Sequence, residues 1–498
     1  MIRKILVLGM LNLILLGQVQ GQNYLLPYPM IEVNMDIEEP ERMSLQQALK
    51  TPKSITELDL TRASLSELPK EIGTLTNLKS LNLSFNRLSK LPASIANLKK
   101  LEVLNIGGNR FTELPKEITQ LTNLKVLYVF SNRINKISLN LEGLTKLEVI
   151  DLENNQLKNI PAILGKVKHL RELSLKDNEV EQTDVVLGGF PELVVLILSE
   201  NKIRELPASF YQLKKLEVLF LQKNQLTQLS EEMGQFTQMR NLDLYKNQLK
   251  TLPKSIGYLK KIYALDVSGN QLINLPKSIG GVSTLKFLSL RKNKLQKIPA
   301  SCGKLTKLEY LDLSQNALKT IPRNLANLKA LKKLELNNNQ LKGLNIDGKK
   351  LIALEELNIR VNNLTKFPKG ILKMENLKVL YLSRNNIERL PQKINQLKNI
   401  ATLHLDYLKL KTLPTSIGEM KSLWALQLAH NQISVLPSNI GDCKKLGELD
   451  LTGNQLKSVP ESIKKLKRLS SLFLKKNQIP ITEKPKLKKW LPRCYIVL

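Results

Sequence analysis

From Ile55 onward, apolar residues return in a fixed order. The same pattern starts at residues 55, 78, 101, 124, 147, 170, 193, 216 and 239. It goes on through 262, 285, 308, 331, 354, 377, 400, 423 and 446 to Leu469. The period is 23 residues with no insertion or deletion, giving eighteen full repeats and one partial repeat. One repeat reads LKSLNLSFNRLSKLPASIANLKK (78–100). Leucines at its fourth and sixth positions alternate with polar residues, the period of a half-buried strand. The ninth position is asparagine in seventeen of nineteen repeats, from Asn86 to Asn477. A buried asparagine can pair backbone groups where the chain leaves a strand, and each rung can pair with the next. The fifteenth position is proline in fourteen of the eighteen full repeats. The exceptions, Ser138, Asp184, Ser230 and Asn345, are all helix-capping types, so this position predicts the start of a short helical or 3-10 turn. The isoleucine and leucine that follow face inward.

Each repeat is therefore one strand, one turn and one short outer segment. No repeat can bury its apolar face alone, and stacking makes the core continuous. Nineteen parallel strands at about 4.8 Å spacing predict a sheet roughly 86 Å long. Strands pack closer than the outer segments, so the stack should bend into a horseshoe with the sheet on its concave wall. The pattern LxxLxLxxNxLxxLPxxIxxL resembles the leucine-rich-repeat superfamily. It is similar to the 23-residue Leu-Pro class of bacterial exported members and of Ras-pathway and scribble-type scaffolds. The resemblance covers residues 55–480. It implies an α/β solenoid that recognises protein partners, with short helical or 3-10 segments on the convex side.

The ends depart from the pattern. Arg3 and Lys4 precede a 12-residue apolar run, Ile5 to Leu16, and small residues Val19 and Gly21 follow. This order predicts a signal peptide over 1–21, cleaved after Gly21. An uncleaved anchor is the alternative, and the run is short for about 30 Å of hydrocarbon. Residues 22–54 read as an N-terminal tail and capping helix. The tail carries Glu32, Asp36, Glu38, Glu39 and Glu41, and Ser44 and Gln47 form a capping box before a helix running to Lys50. Residues 481–498 read as a C-terminal cap, with Trp490 over the last core and Cys494 to Leu498 as an edge strand.

Charge and chemistry narrow the function. The formal net charge is +32, with 76 Lys and Arg against 44 Asp and Glu. Three cysteines exclude a disulfide framework and a four-cysteine zinc site. Cys302 and Cys443 occupy apolar repeat positions about six repeats apart, roughly 28 Å, too far for a bridge. GxSxG, HExxH, GxxxxGK[ST] and GxGxxG are all missing, and no nucleophile–base–orienter set emerges. The chain reads as no enzyme, with no cofactor and no metal. His404 and His430, near Asp406 and Tyr407, are read as surface histidines, with a metal or pH-sensitive patch as the alternative.

The third, fifth, seventh and eighth positions of each repeat face a partner. These 76 positions hold eleven Lys or Arg and fifteen Asp or Glu, a balance of −4. The positive charge thus belongs to the flanks, convex side and caps. Ten of the 23 aromatics stand on the same positions: Phe85, Tyr128, Phe130, Phe220, Tyr245, Phe287, Tyr310, Tyr381, Tyr407 and Phe473. Strand propensity explains part of this, and aromatics also anchor interfaces. Val103, Val126, Tyr128, Phe130, Val149, Val195, Ile197, Val218 and Phe220 form an apolar belt interrupted by Asp151 and Glu153. Beyond it Asp243, Asp266, Asp312 and Glu335 share a column beside Tyr245, Phe287 and Tyr310. The partner is expected to dock across repeats 3 to 13, and the expected partner-binding residues are Phe85, in repeat 2, with Val126, Tyr128, Phe130, Ile197, Phe220, Asp243, Tyr245, Asp266, Phe287, Tyr310 and Asp312. Leu408 replaces the repeat asparagine, and 183–190 and 344–351 lose the Leu-Pro turn or its isoleucine.

The expectation is an exported protein, secreted, periplasmic or at the cell surface. It would bind a protein on its concave face as a monomer or weak dimer, with no specific nucleic acid and no stable membrane span. The alternative is a polyanion or membrane-surface binder working through the basic convex and lateral faces.

Overall fold

A computed structural model of the chain describes residues 43–181 and 189–498. The signal peptide, the acidic tail and most of the irregular stretch at 183–190 lie outside the described residues. The chain forms two compact blocks, one ending at Asn178 and the other starting at Glu179.

The N-terminal block carries six three-residue strands, β1 (Glu57–Asp59), β2 (Ser80–Asn82), β3 (Val103–Asn105), β4 (Val126–Tyr128), β5 (Val149–Asp151) and β6 (Glu172–Ser174). Neighbours in sequence pair in parallel at a register of 23: Leu58 opposes Leu81, which opposes Leu104, then Leu127, Ile150 and Leu173. A six-residue helix, α1 (Leu45–Lys50), precedes β1. Ser44 Oγ accepts the Gln47 N–H at 3.2 Å, and Gln47 Oε1 accepts the Ser44 N–H at 2.7 Å. Ala48 is its buried residue.

In the C-terminal block, fourteen strands from Val195–Ile197 to Tyr495–Val497 form a parallel ladder of their own. The last step alone departs from 23: Ser471 opposes Tyr495, a shift of 24. Helix α2 (Lys484–Trp490) lies between the last two strands in sequence. Leu487, Leu491 and Ile496 are buried there, while Trp490 is half-buried with Lys486 Nζ 4.9 Å from its ring centre.

The core lies between the strands and the 3-10 segments. Most prolines at position fifteen sit just before five-residue 3-10 turns, as Pro69 does for Lys70–Thr74. Of the four exceptions, Ser230 caps its turn, with Oγ accepting from Glu232 N–H. Asn345 does not, because Asp347 caps a shorter turn, Gly348–Lys350. No 3-10 segment follows Ser138, and Asp184 is outside the described residues.

Within each block the asparagine column forms a hydrogen-bonded ladder, interrupted in the C-terminal block at Leu408. Asn86 Nδ2 donates to Leu83 O in its own repeat and Leu60 O in the preceding one, while its Oδ1 accepts from Leu65 N–H. The same triad recurs as far as Asn477. The position before it has positive φ in all nineteen repeats, from Arg62 at 55° to Lys476 at 59°. Gly108, Gly269 and Gly453 occupy it at no steric cost. Phe85, Tyr407, His430 and even β-branched Val361 are held there too.

Candidate functional site

The strand face is built from side chains at positions three, five, seven and eight, and the register brings equivalent positions together across neighbouring repeats. Several of the aromatic ones meet as pairs. In the N-terminal block, Phe85 and Phe130 reach towards each other across Gly107 and Gly108, with ring centres 5.8 Å apart and planes tilted by 58°. Phe85 is 47% exposed, and Arg62 lies 5.3 Å from its ring centre. In the C-terminal block, Phe287 and Tyr310 stack at 4.8 Å, Tyr381 and His404 at 4.4 Å, and Tyr407 and His430 at 4.4 Å. Arg384 stands 4.6 Å from the Tyr407 ring on its other side. These pairs combine an apolar body with a polar rim, the character of interface anchors.

The structure separates the sequence-derived residues by exposure. Phe85 is exposed. Phe130, Phe220, Asp243, Tyr245, Asp266, Phe287 and Tyr310 are half-buried. Val126, Tyr128, Ile197 and Asp312 are buried, at 1%, 8%, 5% and 6% exposure. Parallel strands about 4.8 Å apart crowd short side chains at positions three and five against their neighbours. Length alone does not decide exposure: at position five Tyr128 is buried while Asp243 and Asp266 are half-buried.

The acidic column has a local role. Asp243 Oδ1 accepts the Tyr245 N–H at 2.8 Å, Asp266 Oδ1 the Ser268 N–H at 2.8 Å, and Asp312 Oδ1 the Ser314 N–H at 2.8 Å. Asp59, Asn82, Asn105, Asp151, Asn358 and Asp450 make the same bond two residues on. Each holds the chain as it turns off the strand. The signal was present in the sequence as recurring Asp or Asn at position five.

Burial raises the pKa of these acids. Desolvation pushes Asp266 up to about 6 against its bonds from Ser268, and lifts Asp243 well above its usual range, with neighbouring Asp266 adding to the effect. Asp312 and Glu335 move the same way for the same first reason. Lys333 lies between Glu335 and Glu356, at 3.1 and 2.9 Å. In the N-terminal block, desolvation carries Asp151 to about 7, opposed by its bond from Glu153 N–H. Tyr128, directly opposite Asp151 in register, is pushed up to about 12, by burial first and Asp151 second. Its hydroxyl is buried without a hydrogen-bond partner.

Among the described residues no group of three or more His, Cys, Asp or Glu is placed to hold a metal ion. His404 is half-buried, and desolvation lowers its pKa against the pull of Asp406 and Glu448. Asp406 itself is engaged, with Oδ1 accepting from Ala429 N–H and Oδ2 from Ser383 Oγ. Cys302, Cys443 and Cys494 are free and buried. Burial pushes Cys302 to about 12 and Cys443 to about 11, away from the reactive thiolate. No described helix is long and apolar enough to cross a membrane.

A family model described as a leucine-rich repeat region matches residues 53–160 and 224–345. A second, described as leucine rich repeat, matches 168–226, 191–244, 352–410 and 423–479. Among solved structures, the chain is similar to a leucine-rich-repeat protein of Leptospira interrogans at 33% identity and a TM-score of 0.60, covering 91% of this chain and 98% of that one. It is similar to the plant peptide hormone receptor RGFR1, solved in complex with RGF2, at 28% identity and a TM-score of 0.67, covering 82% and 73%. It also resembles the Arabidopsis receptor kinase HAESA, solved with the peptide hormone IDA and the co-receptor SERK1, at 26% identity and a TM-score of 0.64, covering 85% and 78%. No curated protein matches the chain.

Proposed function

Because the chain belongs to the leucine-rich-repeat family, we propose that it is a non-enzymatic recognition protein whose strand face binds another protein. The observation that carries this reading is the set of aromatic pairs on that face: Phe85 with Phe130, Phe287 with Tyr310, Tyr381 with His404 and Tyr407 with His430. Paired rings held at fixed spacing lose little side-chain freedom on binding, which favours them as anchors. The peptide complexes formed by RGFR1 and HAESA support the same use of the fold.

On this reading, residues 55–480 are the recognition module, 22–54 and 481–498 cap it, and 1–21 direct export. The protein acts outside the cytoplasm as a monomer or weak dimer. The test is a crosslinking pull-down with purified protein at low and high salt, beside a variant carrying Phe85→Ala, Phe130→Ala, Phe287→Ala and Tyr310→Ala. A protein retained at high salt and lost with the variant supports the reading. Equal retention by the variant refutes it.

A further inference from the structure

The second position of each repeat lies at the rim of the strand face, where in much of the C-terminal block it is an ion-paired ladder. Arg240 pairs with Glu217 at 2.8 Å, Glu309 bridges Lys286 and Lys332 at 3.0 and 2.8 Å, and Lys378 pairs with Glu355 at 2.9 Å. The ladder then stops. The next four residues in this column are Ala401, Trp424, Gly447 and Ser470. Trp424 is 52% exposed. Its indole lies across Gly447: a Cβ there would meet Nε1 at 2.6 Å, Cε2 at 3.1 Å and Cδ1 at 3.2 Å. Three ring atoms at similar distance mean that one face of the ring rests on the glycine, so the other is turned outward.

The turns beside this ring are basic. Lys421, Lys444, Lys445, Lys467 and Arg468 occupy the last two positions of three consecutive repeats, and all five are exposed. Among the described residues, none of their side chains makes an ion pair or hydrogen bond. Four of the seven lysines at the same positions earlier in the block are engaged, among them Lys215 with Glu192 at 2.6 Å, Lys260 with Gly257 O at 2.8 Å, and Lys261 with Gln238 at 2.5 Å. From Lys444 to the C terminus there are fourteen Lys or Arg against four Asp or Glu.

We propose that Trp424 and the basic turns around it form a second binding surface, for an anionic polysaccharide. An outward aromatic face on a flat shelf stacks on the C–H face of a sugar ring, while unpaired ammonium and guanidinium groups meet its carboxylates or sulfates. A ring laid flat on Gly447 is poorly placed to insert into a bilayer, where interfacial tryptophans project into the headgroup region. The surface is separate from the aromatic pairs of the strand face, so each can fail without the other.

The experiment is titration calorimetry of the full chain with alginate and dextran sulfate, beside neutral dextran and a 30-nucleotide single-stranded DNA. Both anionic polysaccharides should bind and neutral dextran should not. Trp424→Ala should weaken binding about tenfold, with Trp424→Phe within about twofold of wild type. The pair Lys444→Gln and Lys467→Gln should also weaken it and flatten its salt dependence. Circular dichroism melts confirm that these exposed substitutions leave the fold intact. No binding, binding indifferent to Trp424→Ala, or DNA bound as tightly with the same losses would each overturn the proposal.

Discussion

Asn385 accepts the backbone N–H of Leu364, one repeat upstream, at 3.0 Å, while its amide donates to Leu382 O at 2.8 Å and Ile359 O at 3.0 Å. One buried carboxamide thus satisfies backbone groups of two repeats. One repeat later Leu408 stands in that place, 5% exposed, and its side chain offers Ile387 N–H no acceptor. Asn385→Leu should cost about 3 kcal/mol, because it leaves several buried backbone groups unpaired. Leu408→Asn should move stability the opposite way, by about 1 kcal/mol. Urea unfolding midpoints of the two variants check the sign.

Asp151 predicts a pH dependence. Its pKa is raised from 3.8 to about 7 by desolvation, so the folded state holds a proton that the unfolded chain releases. The stability this contributes is complete below pH 3.8 and is lost as pH rises through 7. Glu172, raised by burial in the same block, acts in the same sense. Asp151→Asn keeps an acceptor for Glu153 N–H and has no charge to desolvate. It should match wild type near pH 4 and be more stable at pH 8 by roughly 1 to 4 kcal/mol. A gap that is constant across this range would contradict the assignment.

Packing on the turn side is set by glycine. A Cβ on Gly280 would run into the carbonyl oxygen of Ser301 and lie 2.9 Å from its Cβ. Backbone cannot move aside as a flexible side chain can. Gly280→Ala should destabilise the protein by about 1–3 kcal/mol, readable as a lower thermal midpoint.

Val361 is held at φ 53°, where a β-branched side chain is strained. Val361→Asn should raise stability by about 1 kcal/mol, with no change of far-ultraviolet circular dichroism. A loss would mean that the valine's packing outweighs its backbone strain.

Much of the fold was legible because the repeat writes each constraint many times. The strands follow from alternating leucines, the ladder from Asn86 and its equivalents, and the outer turns from Pro69 and its equivalents. The left-handed eighth position was not read, although Gly108, Gly269 and Gly453 mark it, because sixteen other residues in that column hide the conformational signal. The positions of the candidate site were legible in register but not in exposure. Val126 and Phe130 belong to one repeat and one face, yet the first is buried and the second half-buried. Exposure depends on how neighbouring strands crowd a side chain, which spacing alone does not encode. The acids at Asp243, Asp266 and Asp312 read as a recognition column, and their bonds to Tyr245, Ser268 and Ser314 give them a second, structural reason to be there.

The most direct test of recognition by the strand face is hydroxyl-radical footprinting of the protein with and without its captured partner. Phe85, Phe287, Tyr310 and Tyr407 report on the face, while exposed Tyr258, at 64%, reports on an outer turn and Trp424 on the rim. Partner binding should suppress oxidation of the first four and leave Tyr258 and Trp424 unchanged. Unchanged oxidation of the face residues, with protection at Tyr258 or Trp424, would contradict the account.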